Sequence, residues 1–269
     1  MRRGSVVWTI AAKDLRESTA TSQVLAPVAL VPFVFVVLYP VGLLLALRSM
    51  SAADAHELVT KIPTSAFPGT GELTAQGQAA YIATVYLFAG FFLIIPTMVA
   101  VVLAANSFAG EKERHTLEGV LYTPVSDTEL VVGKIVGAVL PAVVVSWVCF
   151  GVYAVLVNVL GNPLVGRWYF PTLNWWVMML LVVPAVSVFV TACVVWVSAR
   201  VGSYQSANSI AGFAVLPLIL LVVGQATGVM LLGPALFAVL GLVLAALDVL
   251  LMRWIIVTFD REKVVASFL

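Results

Sequence analysis

Apolar residues run along this chain in six long blocks, at about 24–47, 81–104, 135–160, 174–198, 209–231 and 235–256, with polar intervals between them. Each block holds roughly twenty residues or more, enough for a helix rising ~1.5 Å per residue to cross a ~30 Å hydrocarbon core. Pro27, Pro32, Pro40, Pro96, Pro141, Pro184 and Pro217 lie inside the blocks. In a membrane bundle the neighbouring helices re-satisfy the carbonyls a proline frees, so these positions predict kinks rather than ends. Only Gly233-Pro234 separates the last two blocks, which predicts a tight helical hairpin. Ahead of the first block, Val7, Ile10, Ala11 and Leu15 recur at helical spacing while Lys13, Asp14, Arg16 and Glu17 take the other face. Segment 1–23 therefore reads as an amphipathic helix lying in the interface, with Trp8 at headgroup level. Its charges interrupt the apolar run that a cleaved signal sequence needs, so the helix is expected to be retained.

The intervals carry their own patterns. In 48–80, Ser51 with Asp54 three residues on predicts a short capped helix reaching Ile62. In 161–173, Trp168, Tyr169 and Phe170, joined by Trp175 and Trp176, read as an aromatic belt at a membrane boundary. The interval 105–134 is richer. Ser107 to Tyr122 fits a short helix with Phe108, Leu117, Val120 and Leu121 apolar and Glu111–Arg114 charged, and Pro124 stops it. Ser126-Asp-Thr-Glu129 is then a capping box opening the third span. Helix, break, helix, continuous with two spans, can act as a lever, and its apolar residues need membrane or a partner to cover them.

Composition fixes the class. The chain is 62% hydrophobic and 10% charged, with a mean hydropathy of +1.10, far from the ~25% charge of an ordinary soluble domain. Eight of the charged side chains fall in 105–134: Glu111, Lys112, Glu113, Arg114, Glu118, Asp127, Glu129 and Lys134. A net charge of +1 gives no case for nucleic-acid binding, which would show as a clustered basic surface. With both termini inside, eleven lysines and arginines lie in inner segments, leaving Arg48, Lys61 and Arg167 outside, a positive-inside bias. The expected fold is thus an all-α polytopic membrane protein with six transmembrane helices over 24–256 and a cytoplasmic tail over 257–269, placed in the cell membrane.

Candidate chemistry is sparse. Cys149 and Cys193 sit in apolar runs as small hydrophobes, and neither His56 nor His115 belongs to a metal-ligand pair. No phosphate-cradling Gly-x-x-x-x-Gly-Lys-[Ser/Thr] loop is present, so ATP dependence would have to come from another polypeptide. Ser146, Ser187 and Thr191 could be nucleophiles, but no histidine accompanies them at membrane depth, which argues against a Ser-His enzyme. Asp248, inside the last span and about one turn from Arg253, is expected to form an intramembrane ion pair with it. Asn158 and Gln225 suit interhelical hydrogen bonding, and Gly133-x-x-x-Gly137 and Gly224-x-x-x-Gly228 offer close-packing faces.

The stretch Phe108-Ala-Gly-Glu111-Lys-Glu113-Arg114-His-Thr116-Leu117-Glu118, through Pro124-Val125-Ser126 to Gly133-Lys134, resembles the signature of ABC-2 type transporter permeases. His115 stands where glycine is common. The resemblance implies the membrane subunit of an ATP-binding-cassette exporter, working as two permease copies, identical or paralogous, with two separate ATPase subunits that hold ATP and Mg. It implies a cytoplasmic coupling helix between spans two and three, contacting the ATPase through Glu111, Glu113, Arg114, Thr116, Leu117, Glu118 and Leu121. It further implies a substrate cavity between the permease copies, with Tyr86, Phe91, Phe92, Phe213 and Gln225 as candidate lining. A non-transporting membrane scaffold that couples an ATPase to another partner is the alternative reading, and a lipid-acting intramembrane enzyme would need paired catalytic groups the chain lacks.

Overall fold

The computed structural model of the chain describes residues 3–19, 22–62, 67–107, 111, 125–198, 205–206, 209, 212 and 233–258. All regular structure among these residues is helical. An N-terminal helix α1 (Arg3–Thr19) precedes α2 (Val24–Ser49), which is followed by α3 (Ala52–Thr60) and α4 (Ala75–Ala105). Then come α5 (Asp127–Val165), α6 (Leu173–Ser198) and α7 (Pro234–Thr258). The helices α2, α4, α5, α6 and α7, of 25 to 39 residues, are long and apolar enough to cross a membrane. They coincide with five of the six apolar blocks. Apart from residues 209 and 212, the remaining block at 209–231, with Gly224 and Gly228, lies outside the described residues, as does the tail from 259 on.

Helix ends follow from local chemistry. Ser51 caps α3 by accepting from the Asp54 amide, as its spacing predicts. The capping box at α5 also forms: Ser126 Oγ accepts from the Glu129 amide at 3.3 Å and Glu129 Oε2 from the Ser126 amide at 3.0 Å. At the other end of α5, Gly166 takes a left-handed φ of 77° while its amide donates to the Asn162 carbonyl, an arrangement a side chain would strain. Pro234 opens α7 at its first position, where a missing N–H costs nothing. At ~1.5 Å per residue α5 is about 58 Å long, roughly twice what a hydrocarbon core requires.

Two apolar cores stack along the bundle. One, near α1, joins Val99–Ala105 of α4 to Leu130, Ile135, Val190 and Val194; the other is dominated by aromatic rings. Pro32, Pro96 and Pro184 fall between the two cores. In the aromatic core Phe88 stacks on Tyr153 with centroids 4.6 Å apart, and Phe170 meets Trp175 edge-on at 4.7 Å. Tyr153 and Trp175 donate to the Thr84 and Val85 carbonyls, each at 2.8 Å. Those carbonyls belong to a π-helical segment, Ile82–Leu87, whose shifted ladder leaves acceptors for side-chain donors.

The expected aromatic belt divides. Trp168 is 72% exposed and Trp176 faces outward, whereas Tyr169, Phe170 and Trp175 are buried in this core. The cause is Asn158. Its Nδ2 donates to the Phe170 carbonyl at 2.6 Å and its Oδ1 accepts from the Tyr169 and Phe170 amides at 3.0 and 3.2 Å, folding the loop back over α5. Ser146 and Ser187 donate to carbonyls four residues back in their own helices, the usual way a hydroxyl is satisfied in an apolar helix.

Candidate functional site at the α1 end of the bundle

Helix α1 lies across the first turns of α5. Gly133 and Gly137 make the seat: a Cβ at 133 would come within 2.9 Å of Ile10 Cβ, and one at 137 within 3.2 Å of Ala11 Cα. The Gly-x-x-x-Gly face, free in the sequence to serve another chain, is thus covered by the chain's own N-terminal helix. The inward side of α1 keeps only part of its apolar stripe and adds residues from the charged face. Ile10, Ala11, Asp14 and Ser18 turn toward the bundle, while Trp8 and Leu15 are exposed.

That inward turn carries charge into a buried junction. Lys134, one step past Gly133, has a fully buried side chain. Its ammonium donates to Glu111 Oε2 at 2.8 Å, the Ser107 carbonyl at 2.7 Å and Asp14 Oδ2 at 3.4 Å. Three N–H groups meet three acceptors. Lys13 binds the other Glu111 oxygen and pairs with Glu17 at 3.2 Å. Ser107 donates to Asp14 and Asn106 to Ser18, both at 3.1 Å. Ser198 at the end of α6 donates to the Ala105 carbonyl. The end of α4, the start of α5 and α1 are therefore fastened through one polar cluster beneath an apolar core.

The balance of charge is uneven across it. Desolvation pushes the Glu111 carboxyl up, but the Lys134 charge and the hydrogen bonds from Lys13 and Lys134 outweigh it and hold Glu111 below its ordinary value. For Asp14 desolvation wins over the Lys134 charge, with the neighbouring Glu111 adding to it, and the carboxyl is raised. Lys13 loses to desolvation less than it gains from its bonds to Glu111 and Glu17, and is raised. Asp14, Glu17 and Glu111 bring carboxylate oxygens within 4.8 Å of one another, but the two lysines already occupy all three carboxylates. The crevice lined by these residues with Ser18, Asn106 and Ser107 measures about 140 Å³ including its open mouth, below the ~300 Å³ of a small-molecule site. The cluster is a joint rather than a ligand pocket.

The remaining predicted residues scatter. Glu111 is only 1% exposed with both oxygens held by lysines, so it faces the joint and has no surface to offer a partner. Glu113, Arg114, Thr116, Leu117, Glu118 and Leu121 lie outside the described residues, as do Phe213 and Gln225. Tyr86 is buried, donating to the Pro68 carbonyl at 3.1 Å, and Phe92 is enclosed in the aromatic core. Phe91 is half-buried beside Phe35 and Tyr39. Asp248 is buried at 6% exposure with Oδ1 unbonded, while Arg253 points outward. Among the described residues no ion pair joins them, for a helical reason: five residues place two side chains about 140° apart. The sequence reading missed Lys134 as the centre of the joint. Its signal was a lysine at the threshold of the third apolar block, two turns past the Ser126 cap, with a glutamate across the loop.

A bundle of membrane-length helices, with apolar side chains exposed along α2 and α7 and an ionic joint at one end, defines a multi-pass membrane protein. The sequence pattern of the ABC-2 family transporter proteins matches residues 8–254, and the chain belongs to that family. It is a transmembrane permease subunit by that membership. No curated protein matches the chain in sequence.

Proposed function

We propose that this permease subunit is an exporter driven by a separate ATPase through residues 105–134, with two permease copies and two ATPase subunits in the cell membrane. ATP and Mg are bound by the ATPase; residues 112–124 form the cytoplasmic element that docks on it. Glu113, Arg114, Thr116, Leu117, Glu118 and Leu121 are the contact set, with Leu117 and Leu121 as apolar anchors and the charges setting register. The observation that carries the reading is the joint at the base of this element. A push on residues 112–124 reaches the end of α4 and the start of α5 through buried ionic contacts, a path suited to switching the bundle between discrete packings.

The test is Leu117→Asp in proteoliposomes that hold the permease with its ATPase. The variant inserts normally, retains basal ATP hydrolysis and loses ATP-dependent substrate movement. Wild-type transport in that variant contradicts the lever role. A wild-type complex that hydrolyses ATP while no cargo crosses the vesicle membrane favours the scaffold alternative.

A further inference from the structure

Three spans change their winding where they meet the aromatic core. The Tyr39 amide of α2 donates to the Val34 carbonyl, the Phe88 amide of α4 to Ala83 and the Val183 amide of α6 to Met178, each five residues back. An α-helix bonds four residues back, so each of these turns closes around one extra residue. All three pack into the same core, through Val36, Ile82, Val85, Met178, Met179 and Val182, and the rings of Tyr39 and Phe88 stack with centroids 4.9 Å apart. Through that core α5 and α7 pass as unbroken α-helices, carrying Tyr153 on one and Phe237 on the other. We propose that this region is the pivot of the permease: α2, α4 and α6 bend across it, while α5 and α7 are the rigid struts against which they move.

The wide turns are fixed by particular residues. Pro40 and Pro184 lack the N–H groups that would reach the Val36 and Leu180 carbonyls, and both carbonyls lie inside wide turns. In α4 other helices take the loosened acceptors, Tyr153 bonding the Thr84 carbonyl and Trp175 the Val85 carbonyl. With those donors in place, the winding of α4 changes without leaving a buried acceptor bare. Opposite the α6 turn stands Gly241 of α7, where a Cβ would come within 2.8 Å of Leu181 Cβ and 3.2 Å of its carbonyl carbon. The missing side chain leaves room for α6 to bulge toward α7.

The α1 end of the bundle explains why the spans need such a place. There Lys134 of α5 holds the Ser107 carbonyl beyond α4, and Ser198 of α6 holds the Ala105 carbonyl. Helices fastened together at one end change their packing by bending further along, and wide turns are where a helix bends. The pivot deepens the coupling reading above, which supplies the push. Its own content, which spans bend and where, stands without that reading.

Two spin-label pairs test this on the full-length permease in nanodiscs. One spans the α6 turn, Leu173→Cys with the native Cys193, in a Cys149→Ala background. The other lies on α5, Leu140→Cys with Val159→Cys, in Cys149→Ala/Cys193→Ala. Both pairs are separated by ~30 Å of helix. The α6 distance distribution should be about twofold broader than that of α5. Leu180 is 59% exposed, so deleting it takes the extra residue out of the turn without removing a core side chain, and should narrow the α6 distribution to the α5 width. An α6 pair as narrow as the α5 pair in the wild type overturns the pivot, whether or not the deletion variant accumulates. In proteoliposomes with the ATPase, the Leu180 deletion should keep ATPase capture and lose ATP-dependent substrate movement; wild-type transport by that variant also overturns it. A wild-type permease that captures no ATPase sinks the coupling reading, and the two label widths still judge the pivot.

Discussion

Asn158 is the most exposed point of the account to a quantitative test. Replacing it by leucine, similar in size and apolar, removes the three hydrogen bonds by which Asn158 holds Tyr169 and Phe170 against α5. The Ala154 carbonyl keeps its helical donor, but the Tyr169 amide, the Phe170 amide and the Phe170 carbonyl are left without partners. A buried polar group left unpaired costs about 1–3 kcal/mol. Taking the low end, because water is close at a helix end, three groups give about 3 kcal/mol against the closed loop. At 1.4 kcal/mol per tenfold, amide exchange at Tyr169 and Phe170 in nanodiscs should accelerate about a hundredfold. Asn158→Asp, which keeps the acceptor for both amides, should fall between. Exchange in Asn158→Leu within about threefold of wild type would show that aromatic packing alone holds the loop and that the hydrogen-bond argument is wrong.

Other outcomes follow from the same contacts. Gly137→Leu places a branched side chain where Ala11 Cα already sits at 3.2 Å; overpacking of about 1–3 kcal/mol should lift α1, seen as lost exchange protection over Ile10–Ser18 with α5 unchanged. Asp248→Leu should raise resistance to unfolding in detergent by about 1–3 kcal/mol, since it replaces a buried carboxylate oxygen without a partner by apolar contact; a loss of stability would reveal a partner for that carboxyl. Acid should loosen the joint in an Asp14→Asn background. Glu111 is held below its ordinary 4.5, so the stability it contributes is present above that value and lost as pH falls through its lowered one. Removing Asp14 removes the raised carboxyl whose protonation works in the opposite direction, and α1 exchange should then be flat near neutrality and rise below pH 4.5. A flat profile down to pH 3 would put the joint's strength elsewhere.

Some of this molecule is legible in its sequence and some is not, for physical reasons. Five spans, the Ser51 cap and the Ser126–Glu129 box follow from local rules, helix length against bilayer thickness and a side chain three residues from the amide it satisfies. Those rules need no knowledge of the tertiary fold. Residues that answer to distant partners read differently. Trp175 and Trp168 look alike in a belt, and only distant partners decide which is buried: the Val85 carbonyl and the rings of Tyr153 and Phe170 take Trp175. Asp14 and Lys13 look like a solvated face of α1, yet Asp14 is drawn inward because Lys134 and Ser107 wait across the interface. Glu111 reads as surface charge in a polar island, and the same lysine makes it interior. Asp248 and Arg253 look paired because they are near in sequence, but helix geometry turns them apart. Charge patterns in an apolar chain locate the junction, and the partners across it decide which charges face in.

The central claim is that residues 105–134 bind a separate ATPase, and its most direct test is purification of the chain from its native membrane in mild detergent, with a photo-crosslinker at Arg114. The account predicts a stoichiometric partner carrying a phosphate-binding glycine loop, cross-linked at Arg114. A preparation that yields no such ATPase, with the crosslinker finding only lipid, would contradict it.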